Sequence, residues 1–84
     1  MKELPQDVQD ALRLAHDECV RFPIRGALRF ARTYIEAVPL VMPKGERAVQ
    51  DQILYALNNL GAWRGPAARA AKEVLLRYAT RVLF

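Results

Sequence analysis

Residues 53–78 read ILYALNNLGAWRGPAARAAKEVLLRY, and this stretch decides the fold. Apolar side chains recur at Ile53, Ala56, Leu57 and Leu60, and again at Ala67, Ala71, Val74, Leu75 and Tyr78, the three-and-four spacing of one helical face. Between the runs lies Gly61-Ala62-Trp63-Arg64-Gly65-Pro66, which holds the only Trp and two of the four Gly. Gly61 is placed to end the first helix in a left-handed cap. Pro66 is placed to open the second, because the N–H it lacks would have no helical partner there. The stretch predicts two amphipathic helices joined by a tight turn.

Working outward, proline punctuates the rest of the chain in the same way. Four of the five prolines stand where a helix should begin. Pro5 opens residues 6–20, Pro23 opens 24–38, Pro43 opens 44–60 and Pro66 opens 67–83, while Pro39 stops the second segment at Val38. The first helix is expected to bury Leu4, Val8, Leu12, Ala15, Cys19 and Phe22. The second should bury Ile24, Leu28, Ala31, Ile35 and Val38. Val49 joins the third stripe and Val82 extends the fourth. No stretch alternates with period two for long enough to propose a strand. The expected fold is all-α, a compact antiparallel four-helix domain spanning residues 1–84. The link Pro39-Leu40-Val41-Met42-Pro43 is apolar where connections are normally polar. Leu40 and Met42 are expected to plug one end of the core, the alternative being an exposed apolar lip for a partner.

Composition bounds the class. Eighty-four residues with 52% hydrophobic and 26% charged residues suit one globular domain and exclude a disordered tail. No apolar run approaches the roughly 18 residues that would cross a bilayer, so no membrane partner is expected. The polar, acidic start MKELPQD does not read as a secretory or transit signal, and a single cysteine fits a reducing cytoplasm.

Thirteen Lys and Arg against nine Asp and Glu give a net charge of +4. Ten of the thirteen are Arg, the residue suited to bidentate contacts with carboxylates and phosphates. Arg25, Arg29 and Arg32 fall at i, i+4 and i+7 on the expected second helix, and Arg21 precedes them. Stacked guanidinium groups repel unless something anionic faces them. Asp17, Glu18 and Glu36 could neutralise them in part; otherwise the stripe calls for an acidic protein surface or a phosphate backbone.

The 53–78 hairpin invites comparison with a helix-turn-helix DNA reader. Its second helix opens Pro66-Ala67-Ala68-Arg69-Ala70-Ala71-Lys72, and alanines offer nothing to base edges beyond a thymine methyl. Trp63 is expected to fold back over the hairpin with Arg64 beside it, or else the pair anchors a partner. Phe30, Leu76 and Leu83 fall off the core stripes and offer a possible homodimer face. Leu14 is a further outward apolar residue, and Tyr55 sits on a polar face with Asp51, Gln52 and Asn59.

Nothing in the chain supplies an active site. His16, the only histidine, lies three residues from Cys19, but no orienting third group or oxyanion pocket accompanies them. Cys19 belongs to the apolar stripe and reads as a buried thiol. There is no metal-ligand spacing and no Gly-rich phosphate loop, so no enzyme activity, metal or cofactor is expected.

The run LNNLGAWRGPAARAAKEVLLRYA, about a quarter of the chain, resembles stretches in small helical proteins of phages and plasmids. That resemblance implies an accessory protein that acts on a host complex, and it carries over no site residue. The expected function is a non-enzymatic protein-binding module, adaptor or inhibitor, using Arg21, Arg25, Arg29 and Arg32 with Trp63 and Arg64. The alternatives are nucleic-acid binding through the same arginines and a structural homodimer.

Overall fold

Each amphipathic helix has one apolar stripe to bury, and a closed ring of helices buries every stripe at once. The computed structural model describes residues 4–81. It contains α1 (Gln6–Arg21), α2 (Leu28–Glu36), α3 (Val38–Val41), a 3-10 turn (Met42–Lys44), α4 (Glu46–Asn58) and α5 (Pro66–Ala79). No strand occurs among the described residues, and the fold is all-α. α1 packs on α2 and α5, and α4 packs on the same two, while the Cα atoms of the diagonal pairs stay more than 8 Å apart. The Cα radius of gyration is 11.9 Å. That is what a compact chain of this length has, about 12 Å.

Cross-links between helices fix their directions. Gln50, near the start of α4, donates to the carbonyls of Tyr78 and Arg81 at the end of α5. Gln52 donates to Tyr34 O near the end of α2. The Gln50 bonds join the start of α4 to the end of α5, so these two neighbours are antiparallel, and the Gln52 bond ties the middle of α4 to the last turns of α2. The fully buried side chains Cys19, Leu28, Val49, Ile53, Leu60 and Leu75 draw on every long helix. Of the expected core, Phe22, Leu57 and Val74 are half-buried against it, and Ala68 takes the inward place expected of Ala67.

Helix boundaries depart from expectation at the prolines. Pro66 opens α5, and Gly65 before it has φ 112° and ψ 173°, a conformation only glycine adopts without strain. Gly45 has the same conformation before α4, so that helix starts at Glu46 and Pro43 falls in the 3-10 turn. Pro39 does not stop a helix at Val38. α2 ends at Glu36, and Pro39 lies in the first turn of α3, where its missing N–H leaves no bond broken. Nor does Gly61 form a left-handed cap: α4 ends at Asn58, and the only positive-φ glycines are Gly26, Gly45 and Gly65.

The largest correction concerns Pro23 and Ile24. Arg25 N–H bonds Phe22 O and Leu28 N–H bonds Arg25 O, each at 3.1 Å, so residues 22–28 make two successive turns. Pro23 takes the second position of the first turn, where its fixed φ is as suitable as at a helix start. Ile24, expected in the core, is 93% exposed. Leu40 is 76% exposed rather than plugging the core, while Val41 and Met42 pack against it. Leu83 and Val82 lie outside the described residues.

Candidate functional site

The α1–α2 and α4–α5 turns lie at the same end of the bundle. A Cβ added to Gly26 would stand 3.3 Å from Ala62 Cβ, which measures how closely the two turns approach. That end carries Arg21 at the close of α1, Arg25 in the turn and Arg29 in the first turn of α2. Arg64 lies in the opposite turn, with Arg69 and Lys72 on the first half of α5. Only Asp17 and Glu18 oppose these six, so this corner holds the whole +4 excess, and charges over the rest of the chain cancel.

Two guanidinium groups converge on one ring. Arg25 Cζ lies 3.8 Å from the Phe22 centroid and Arg21 Cζ lies 5.8 Å from it. Arg25 also reaches Glu18 at 3.4 Å. Arg29 Cζ lies 4.8 Å over Phe30. These cation–π contacts hold the side chains against the surface instead of letting them extend into water. Arg21, Arg29, Arg64 and Arg69 have no carboxylate partner among the described residues. Arg29, in the first turn of α2, is moreover a cation at the positive end of a helix dipole. Exposed apolar side chains interleave with these charges: Val20 precedes Arg21, Ile24 precedes Arg25, and Phe30 follows Arg29.

No family model, curated protein or solved structure matches this chain.

Arg32 does not join the corner. Its Nε donates to Glu36 Oε2 at 2.8 Å, and His16 Nε2 meets the same oxygen at 2.6 Å, bridging α1 and α2. The Arg32 hydrogen bond, and then that of His16, hold the Glu36 carboxyl below its ordinary range. Asp17, considered as a neutralising acid, makes no ion pair among the described residues; Glu18 and Glu36 do.

Trp63 is 6% exposed and belongs to the core, so its ring is not offered to a partner. Lys72 serves it in place of Arg64: Nζ lies 6.0 Å from the indole centroid and donates to Trp63 O. Burial first, and then the charge of Arg64, lower the Lys72 pKa. Cys19 is buried and far from nucleophilic, with burial pushing its thiol up. Among the described residues no group of three or more His, Cys, Asp or Glu could hold a metal ion. No described helix is long and apolar enough to cross a membrane.

Residue periodicity missed Ile24, Arg69 and Lys72 as members of this corner. A local signal for Ile24 existed: Phe22-Pro23-Ile24-Arg25-Gly26 has proline at the second turn position and glycine just beyond. Arg69 and Lys72 join only through the pairing of the two turns, which no local pattern encodes.

Proposed function

We propose that the chain is a non-enzymatic protein-binding module, an adaptor or inhibitor, that docks its basic corner on an acidic protein surface. The observation that carries this reading is Ile24, 93% exposed between Arg21 and Arg25. An isoleucine there adds nothing to the fold and loses apolar burial it could have had. Arginine set among apolar and aromatic side chains is the composition of a protein-interface centre. A phosphate backbone offers an isoleucine nothing. The likeness of residues 57–79 to phage and plasmid helical proteins leads to the same class, with a host complex as the target.

The test compares affinity capture from the native host by wild type, Ile24→Asp and the Arg21→Glu/Arg25→Glu double variant. One acidic protein retained by wild type and lost by both variants is the expected result, with binding of the purified pair weakening as salt rises. Identical retained sets for all three proteins would sink the proposal.

The second reading is phosphate-backbone binding, favoured by the four arginines without a carboxylate partner. Neutralising several phosphates would make affinity fall steeply with salt and depend little on sequence. Fluorescence anisotropy with random duplex and single-stranded DNA at low salt decides it, since no change at micromolar protein excludes it.

A further inference from the structure

Arg21 belongs to two surfaces. It closes the basic corner, and it also lines a groove of about 730 Å³ that runs along α1 beside the start of α5. The walls of this groove reach solvent. Leu14 and Val20 are 50% and 46% exposed, Ala67 across from them is exposed, and Trp63 alone is buried. Four of its members can carry charge. Glu18 is engaged by Arg25, and His16 by Glu36. Asp17 and Arg21 have no ion partner among the described residues. They stand four apart on one helix, acid before base, the order that favours a pair. Arg21 turns instead to the Phe22 ring, 5.8 Å from its centroid. Over two turns of α1, or about 10 Å, the groove therefore offers a cation, an anion and a leucine that the fold leaves unengaged.

We propose that the acidic partner meets this chain with an amphipathic helix laid in the groove: an acid against Arg21, a base one turn on against Asp17, and an apolar residue at the next turn against Leu14. This rests on the protein-binding function proposed above, and adds the form of the docking segment and the order of its charges. Leu14, Asp17 and Arg21 are spaced three and four apart, the spacing at which a second helix repeats its own side chains. No strand among the described residues offers an edge to extend, so the segment has no ladder to join. Charge order selects the same occupant. A nucleic-acid strand following the groove would bring its phosphates from Arg21 onto Asp17 and Glu18. A helix with an acid and a base one turn apart meets both signs. Acid before base is also the favoured order on the partner, which makes its helix run antiparallel to α1.

Two synthetic alanine-based helices of about five turns test it, one carrying Glu, Lys and Leu at successive turns in that order, the other with Glu and Lys exchanged. Each is titrated into the isotope-labelled full chain and followed by NMR amide shifts. The first should move the amides of Leu14, Asp17 and Arg21 together with the Trp63 indole, and bind about tenfold more tightly than the second. Asp17→Lys combined with Arg21→Glu should reverse that preference, because each exchanged charge then finds its opposite. Leu14→Asp should weaken the first peptide about tenfold. Because Leu14 is exposed, that variant should keep the helical circular-dichroism spectrum of wild type. Equal affinity for the two peptides, no shift with either, or binding that Leu14→Asp leaves unchanged overturns the proposal. Shifts confined to Ile24, Arg25 and Arg29 also overturn it, and leave the corner as the whole interface. The corner itself fails on a different result, capture of the wild-type set of host proteins by Ile24→Asp, a residue outside the groove.

Discussion

Replacing Gln50 with methionine should destabilise the fold by about 2 kcal/mol, a figure that follows from what its side chain does. Gln50 is buried, 3% exposed, among apolar and aromatic side chains. Its amide nitrogen donates to Tyr78 O at 2.9 Å and to Arg81 O at 3.0 Å, satisfying carbonyls at the C-terminal end of α5 from a neighbouring helix. Methionine keeps the length and volume of glutamine, so little cavity opens and the loss is that of the donor. Arg81 is exposed and water can replace the amide at its carbonyl. The Tyr78 carbonyl lies inside and keeps weaker backbone contacts, such as the Arg81 N–H at 3.3 Å. One buried acceptor losing its partner costs about 1–3 kcal/mol. With an m-value near 1 kcal/mol/M, about 2 kcal/mol lowers the urea midpoint by about 2 M. In a thermal melt the same loss is roughly 8–16 °C for a domain of this size. Urea titration followed by far-UV circular dichroism reads it directly. Gln50→Glu should be worse than Gln50→Met at neutral pH, because a carboxylate cannot donate and adds a buried charge. A midpoint for Gln50→Met within about 0.3 M of wild type would refute the reasoning.

Three further outcomes follow from single residues. Gly65→Ala should destabilise by about 1–3 kcal/mol, because the strain lies in the backbone at φ 112° and not in any clash, whereas Gly61→Ala should be neutral to mildly stabilising; paired thermal melts check both. Cys19 should resist a thiol reagent in the native state and react at a rate that rises with urea through the unfolding transition, because burial both hides the thiol and raises its pKa. Glu36, whose carboxyl is held low by Arg32 and His16, stabilises the folded state above its unfolded pKa; that contribution fades as pH falls below about 5, so Glu36→Gln should flatten the acid limb of Tm against pH.

The fold was legible where burial and local propensity agree. Val8, Leu12, Ala15 and Cys19 recur at helical spacing and all are buried, as are Val49, Ile53 and Ala56. The departures cluster where one residue type has two backbone uses. A φ near −65° serves a helix start and the second position of a turn equally, so Pro23 alone does not separate the two, and only Gly26 after it, at φ 52°, signals the turn that delays α2 to Leu28. That delay takes Arg25 out of the helical row and sets it on Phe22. The candidate site was legible in part for the same reason. Arg21, Arg25 and Arg29 are neighbours in sequence and remain neighbours, while Arg32 is drawn to Glu36. Arg64, Arg69 and Lys72 reach the corner only because the two turns meet at Gly26 and Ala62.

The uneven charge has a consequence at a distance. Arg21 and Asp7 are fourteen residues apart on α1, about 21 Å along its axis. The Debye length at physiological salt is about 8 Å, less than half of that. An approaching molecule therefore feels one end of this protein as a cation and the other as uncharged. An acidic surface would turn the molecule before touching it, bringing the two turns round first. Orientation is then set during the encounter itself, and raising the salt should slow association more than it speeds release.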